Sequence, residues 1–342
     1  MAEVTLNNDE AHLYGPVLGL PELRAELARQ TAEKYAGVVT DEQVCITSGC
    51  NQAFAAAMAT LCGEGDKVIL PTPWYFNHKM WLDMSGVAAV PLPVEADMLP
   101  DPARAEALIT PRTRAITLIT PNNPTGVEYP AALVQDFFDL ARRHGIALIL
   151  DETYRDFHSR PGPPHALFSD PDWHDTLIHL YSFSKAYRLT GHRVGALIGS
   201  RARLAEVEKF LDTVAICPAQ IGQHGALWGM QNLGPWLAGE REEILARRAA
   251  ISDLMPKLEP LGWELLGLGG YFAYMRHPFD MSSADLAPQL VRDAGVLCLP
   301  GTMFTPEGDN SGAAQLRIAF ANLDAAGLTT LFDRLAALPR NA

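Results

Sequence analysis

The sequence predicts an α/β protein: a large domain on a mainly parallel sheet with helices on both faces, joined to a smaller α+β domain. Three observations carry that expectation. Between about residues 40 and 200, six short apolar runs alternate with helical patterns. Past residue 200 the alternation gives way to helical stretches and then to a second group of strand patterns. The chain's 342 residues, 48% of them hydrophobic, suffice for two lobes sharing an interface.

Taken in order, EQVCITSG (42–49) is the first strand pattern and leads into NQAFAAAMATLC, whose Ala, Leu and Met favour helix. DKVILPTP (66–73) precedes the helical WYFNHKMWLDMSG. TRAITLITP (113–121) precedes AALVQDFFDLARRHG, where Gly145 is placed to end the helix. IALILDE (146–152), TLIHLYS (176–182) and RVGALIGS (193–200) complete the first group, and RPGPPHALFSDPDWHD (160–175) reads as a surface loop. Farther on, ARLAEVEKFLDTV and PWLAGEREEILARRAAISDLMPKL read as helices, the second long enough to bridge two lobes. GWELLGLGGYFAYMRH, GVLCLPG and AQLRIAFANL are the strands of the smaller domain. The division expected is a large domain over 38–234, with 1–37 and 235–342 forming the small domain and its N-terminal segment.

Charge and composition narrow the function. With 27 basic against 40 acidic residues the net charge is -13, which argues against a nucleic-acid-binding face but leaves room for a local basic pocket around an anionic cofactor. Five scattered cysteines, without a CxxC pair, suit a reducing compartment and offer no metal-site spacing. No apolar run approaches membrane-span length, and MAEVTLNNDE lacks the basic and apolar regions of a secretory signal, so a soluble cytoplasmic protein is expected.

In α/β sheets, ligands sit at the carboxyl ends of strands, and the polar motifs fall there. Lys185, in YSFSKAYRLTGHRVGA, is read alone either as a solvated charge or as a nucleophilic amine. Burial near positive charge would lower its pKa and favour the second reading, and Arg193 lies eight residues on. PNNPTG (121–126) is a rigid turn able to point Asn123 into a site. Asp151 closes the apolar run LILDETYRDF, either as a helix cap or as the acceptor for a cationic ring nitrogen, with Tyr154 three residues later. ITSGCNQAF runs through Gly49, Cys50 and Asn51 into a helix start, where backbone N–H groups attract an anion.

As a set, PWYFNH, NNPTG, DETY and SFSKAYRLTGHRVG, in that order at successive strand ends, resemble the pyridoxal-phosphate enzymes of aminotransferase classes I and II, over residues 12 to 335. The resemblance implies fold type I, with a seven-stranded sheet, and pyridoxal 5'-phosphate as cofactor. It implies that Lys185 forms the internal aldimine and shuttles the proton, that Asp151 partners the pyridine nitrogen, and that Asn123 and Tyr154 hold the ring oxygen. Gly49, Cys50, Asn51, Ser182 and Arg193 match the phosphate cradle, and Tyr75, with Trp74 as its alternative, matches the aromatic that stacks on the ring. Arg317 in LRIAFAN, assisted by Asn123, matches the site for the substrate α-carboxylate. Tyr14 matches a tyrosine that reaches the phosphate of a neighbouring subunit, implying a homodimer.

The implied activity is transfer of an amino group from an L-amino acid to a 2-oxo acid through a pyridoxamine form. A carbon–sulfur β-lyase on the same scaffold is the alternative. A cofactor-sensing regulatory domain is disfavoured by the acidic charge and by the few residues before Tyr14, where such regulators carry a winged helix. Relatives usually carry several tens of residues before that tyrosine, which bears on how the substrate is covered. Cys50 stands where Ser, Thr or Ala is commoner, and His192 replaces a usual apolar residue.

Overall fold

The computed structural model describes residues 7–339, so the outermost ends of the expected 1–37 and 235–342 segments, and most of the stretch read for a signal, lie outside the described residues. Seven strands form the larger sheet: β1 (Val44–Thr47), β2 (Lys67–Thr72), β3 (Ala88–Pro93), β4 (Thr113–Ile119), β5 (Ala147–Asp151), β6 (Leu177–Ser182) and β7 (Gly195–Ile198). Their order is β1-β7-β6-β5-β4-β2-β3. The pairs β5–β6, β4–β5, β2–β4 and β2–β3 are parallel, while β7 runs antiparallel to both β6 and β1.

That single reversal has a consequence for chemistry. The start of β7 lies beside the carboxyl ends of β1 and β6, with Gly195 opposite both Thr47 and Ser182. Arg193, two residues before β7, therefore arrives at the same edge as the residues that follow β1, β5 and β6.

The central strands β4, β5 and β6 are buried along almost their whole length, as expected for a sheet covered on both faces. One face packs a core that includes Leu118, Phe137, Leu148 and Tyr181, the other a core that includes Phe54, Val68, Ile149 and Leu180. The smaller sheet, ordered β10-β11-β9-β8, comprises β8 (Glu264–Gly269), β9 (Phe272–Arg276), β10 (Leu299–Pro300) and β11 (Gln315–Ala319). It has a separate core around Met275, Leu286, Leu316 and Phe332.

Several elements differ from the sequence reading, three of them for physical reasons the structure makes plain. Strand β3 was not anticipated, because AAVPLP carries two prolines and lies at the sheet edge half exposed, so it shows neither alternation nor a continuous apolar run. A helix over Gln220–Asn232 was also unread, since Gly222, Gly225 and Gly229 depress its propensity. There the glycines permit close approach: a Cβ on Gly222 would stand 2.6 Å from the His192 carbonyl oxygen, and one on Gly229 would stand 3.0 Å from Tyr187. Finally, the helix Pro21–Tyr35, expected with the small domain, buries Leu23, Leu27, Ala28 and Tyr35 in the core of the large one. Its apolar stripe is complementary to the helix Gln220–Asn232 and to β1, which lie beside it.

Candidate active site

A cavity of about 1360 Å3 opens between the two sheets and is lined by Cys50, Asn51, Tyr75, Asn123, Asp151, Tyr154, Ser182, Lys185, Arg193 and Arg317, among others. The strand-end residues singled out in the sequence thus meet in one space. Gly49 shapes it from beneath: it holds φ +87°, and a Cβ there would stand 2.1 Å from Arg193 Nη2. The helix Cys50–Leu61 starts at that point, and its first two residues, Cys50 and Asn51, line the cavity, where a helix start favours an anion.

Asp151 is 4% exposed. Its Oδ1 accepts from Thr153 N at 3.0 Å and from Thr153 Oγ1 at 2.7 Å. Oδ2 accepts from the Cys50 thiol at 3.6 Å, a weak donor, and faces His78 Nε2 at 3.4 Å. Burial by itself would raise the acid's pKa. The His78 imidazole and the Thr153 donors outweigh it and hold Asp151 below the ordinary carboxylate value. The carboxylate is thus ionised, fixed by Thr153 at one oxygen and held at the other by weaker contacts that a stronger donor could replace.

Lys185 sits on the short helix Phe183–Ala186 that follows β6. Burial first, then the charges of Arg317 and Arg193, lower its pKa, which favours the neutral amine needed for nucleophilic attack. Arg193 holds φ +52° and donates through Nη1 to the Thr190 carbonyl at 3.0 Å, with Ser184 Oγ at 3.5 Å.

Arg317 projects from β11 between Phe272 and Phe304, its Cζ 4.6 and 5.2 Å from their ring centres. Its Nη1 donates to Asn123 Oδ1 at 2.8 Å, while its buried Nε has no partner. Of the two adjacent asparagines, Asn122 is consumed by its own turn, accepting from Thr125 N and Oγ1, which leaves Asn123 to face the cavity. Among the described residues no carboxylate lies within salt-bridge distance of Lys185, Arg193 or Arg317. Two guanidiniums without counter-ions among the described residues, an amine beside them and one ionised carboxylate with a weakly held oxygen suit a ligand bearing two anionic groups and a cationic ring nitrogen.

Tyr75 lines the cavity and accepts a hydrogen bond from Asn77 Nδ2 at 2.8 Å; burial pushes its hydroxyl up to about 12. Trp74 is 6% exposed and packs in the core of the sheet's other face, so the two aromatics separate into one cavity residue and one core residue. Tyr154 is buried against Phe272 and Tyr271, at ring distances of 5.4 and 5.2 Å. Tyr14 is not brought to this cavity. It is 81% exposed on a segment tied to the helix Gln220–Asn232 by bonds from Gln220 Nε2 to the carbonyls of Glu10 and Leu13.

Two residues beside Asp151 have contacts with it that the sequence reading did not assign. Thr153 carries a readable signal, since Asp-x-Thr is a turn in which the acid caps the second residue's N–H. His78, stacked on Phe54 at 3.8 Å, stands three positions after Tyr75 on the helix Phe76–Met84, and that spacing puts both on one face.

A family model described as aminotransferase class I and II matches residues 2–335. An aromatic aminotransferase of Arabidopsis thaliana is 30% identical over 334 residues, covering 94% of this chain and 80% of the relative. An arginine–pyruvate transaminase of Pseudomonas aeruginosa is 30% identical, covering 89% of this chain and 77% of its own. Among solved structures, the aspartate aminotransferase of Thermus thermophilus with maleate superposes with a TM-score of 0.87 at 25% identity, covering 98% of this chain and 86% of that one.

Proposed function

The chain belongs to the class I and II aminotransferases, pyridoxal phosphate-dependent enzymes, and on that premise we propose how its own residues hold the cofactor and which amino acids it takes. Arg193, Ser182 and the N–H groups of Cys50 and Asn51 receive the phosphate. Asp151 accepts the ring N–H at Oδ2, Tyr75 stacks on the ring, and Asn123 and Tyr154 hold its oxygen. The bound cofactor supplies the electron sink that lets the substrate Cα–H bond break. Lys185 Nζ takes up that proton and returns it. Arg317 and Asn123 fix the substrate α-carboxylate, so that the Cα–H faces Lys185. The supporting observation is the convergence of Lys185, Arg193 and Arg317, none with a counter-ion among the described residues, on a cavity whose one buried carboxylate among those residues is Asp151.

The substrate side chain is neutral or aromatic. The other arginines lining the cavity are already matched: Arg188 pairs with Glu240 at 2.6 Å and Arg247 with Glu243 at 2.9 Å. Phe76, Phe272 and Leu299 supply apolar wall. Titrating a panel of L-amino acids against the visible band of the Lys185-bound cofactor tests this. Phenylalanine, tyrosine or leucine should bleach the band at lower concentration than aspartate, and the reverse order would overturn the assignment.

The exposed Tyr14 and Leu13 support a homodimer in which Tyr14 reaches the partner's phosphate. In a mixed dimer of Tyr14→Ala and Lys185→Ala chains, one of the two sites carries neither lesion. Activity should therefore reappear on mixing two inactive proteins, and its failure to do so would refute the shared site. The five unpaired thiols support residence in a reducing compartment such as the cytoplasm. No helix among the described residues is long and apolar enough to cross a membrane.

A further inference from the structure

Behind the site, on the opposite face of the β5 end, lies a buried ionic mesh that the reaction does not touch. Glu152 is 1% exposed, and its Oε2 accepts from His179 Nε2 at 2.9 Å, His165 Nε2 at 3.1 Å and the Tyr35 hydroxyl. The backbone N–H of Leu167 donates to His165 Nδ1 at 3.2 Å, which fixes the proton of a neutral His165 on Nε2, toward Glu152. Below it, the Arg155 guanidinium lies over Tyr181 at 3.8 Å, and Asp156 accepts from Tyr181 Oη at 2.8 Å and Lys34 Nζ at 3.1 Å. Two acids, Glu152 and Asp156, thus face two basic side chains, Arg155 and Lys34, in one buried cluster.

Its position matters more than its stability. Neighbouring residues of an extended strand project to opposite faces. Asp151 therefore points into the cavity only if Glu152 points into the mesh. The Glu152 N–H also donates to the Leu180 carbonyl at 3.0 Å, and Tyr181 directly precedes Ser182. The mesh thus ties the strand ends carrying Asp151, Tyr154, Ser182 and Lys185 to the helix Pro21–Tyr35. A buried carboxylate with three donors is costly to reorient, because each donor would be stranded.

We propose that Glu152, held by His165, His179 and Tyr35, is a positioning residue for amino transfer: it sets from behind the sheet the direction in which Asp151 and Tyr154 meet the cofactor. This rests on the roles given to those two residues above. The test uses the full-length holoenzyme carrying Glu152→Gln, which keeps the shape but turns an N–H donor toward donors. The expected result is a folded protein whose kcat falls about tenfold to a hundredfold with little change in the amino donor's KM. The pH midpoint of the visible band of the Lys185-bound cofactor should also move down by about one unit, since a negative charge behind Asp151 has gone.

His179→Gln, which can still donate to Glu152, should keep both values near wild type. Should Glu152→Gln not fold, His179→Phe removes one donor while leaving the carboxylate charged, and a smaller fall in kcat is expected. A folded Glu152→Gln protein, or a folded His179→Phe protein in its place, with lower thermal stability but unchanged kcat and band midpoint would overturn the proposal. Asp151→Asn separates this failure from failure of the site reading, because intact turnover in that variant would refute the site itself.

Discussion

At the scale of single residues, Arg317 shows how a site can be prepared for a ligand by withholding a partner. Burial lowers its pKa, and among the described residues two aromatic faces and the Asn123 amide support it. An incoming carboxylate meets a guanidinium that is already desolvated and oriented. Arg317→Gln should cost about 3 kcal/mol of transition-state stabilisation, roughly a hundredfold in kcat/KM. The loss should vanish for an amine lacking the α-carboxylate, and steady-state kinetics on the matched pair would check it. The residues readable in the sequence were those whose chemistry is out of place at an apolar strand end, such as Asp151, Lys185 and Arg193. His78 was not, because a histidine on an aromatic-rich helix gives no sign of which carboxylate it faces.

At the scale of elements, the helix Gln220–Asn232 and strand β3 were illegible for related reasons. Each is stabilised by its neighbours rather than by local preference, the helix through close backbone approach and the strand through pairing with β2. The parallel core strands, by contrast, announce themselves as continuous apolar runs. Gly222→Ala should destabilise the protein by about 1–3 kcal/mol, since the new methyl would overlap the His192 carbonyl and the Val194 side chain. It should also weaken phosphate binding, because the displaced segment carries Arg193. Gly239→Ala, in the helix Gly234–Leu254 with open space around it, should instead stabilise by about 0.5–1 kcal/mol. Denaturant melts of the two variants would show opposite signs.

At the scale of the whole molecule, buried ionisable groups make stability fall with acidity in two steps. Burial holds His179 below its ordinary 6.5, so the unfolded chain takes up the proton first and stability drops as pH falls below that value. The pKa of buried Glu152 lies well below the ordinary 4.5, its imidazole partners outweighing burial; that of Asp156 lies below 3.8, with Lys34 and Arg155 doing the same. Their contribution is present above those values and is lost as pH falls through the folded ones. Chemical denaturation from about pH 7 to about pH 2 should show both steps, and Glu152→Gln should flatten the more acidic one. The second, smaller sheet was legible as a second group of strand patterns late in the chain. The docking of the helix Pro21–Tyr35 on the larger lobe was not, because an amphipathic stripe does not say which core will receive it.

The two uncompensated guanidiniums of the cavity, Arg193 and Arg317, sit inside a protein of net charge -13. An approaching anion is repelled at long range and attracted only at the entrance. Mobile ions damp the two fields unequally, since at physiological ionic strength the screening length is about 8 Å. Capture of pyridoxal phosphate by the apoprotein should therefore quicken as salt is first added and slow again once the entrance itself is screened. Stopped-flow rates across a chloride series would trace that maximum, whereas a steady decline from the lowest salt would mean that the local basin governs encounter at every distance.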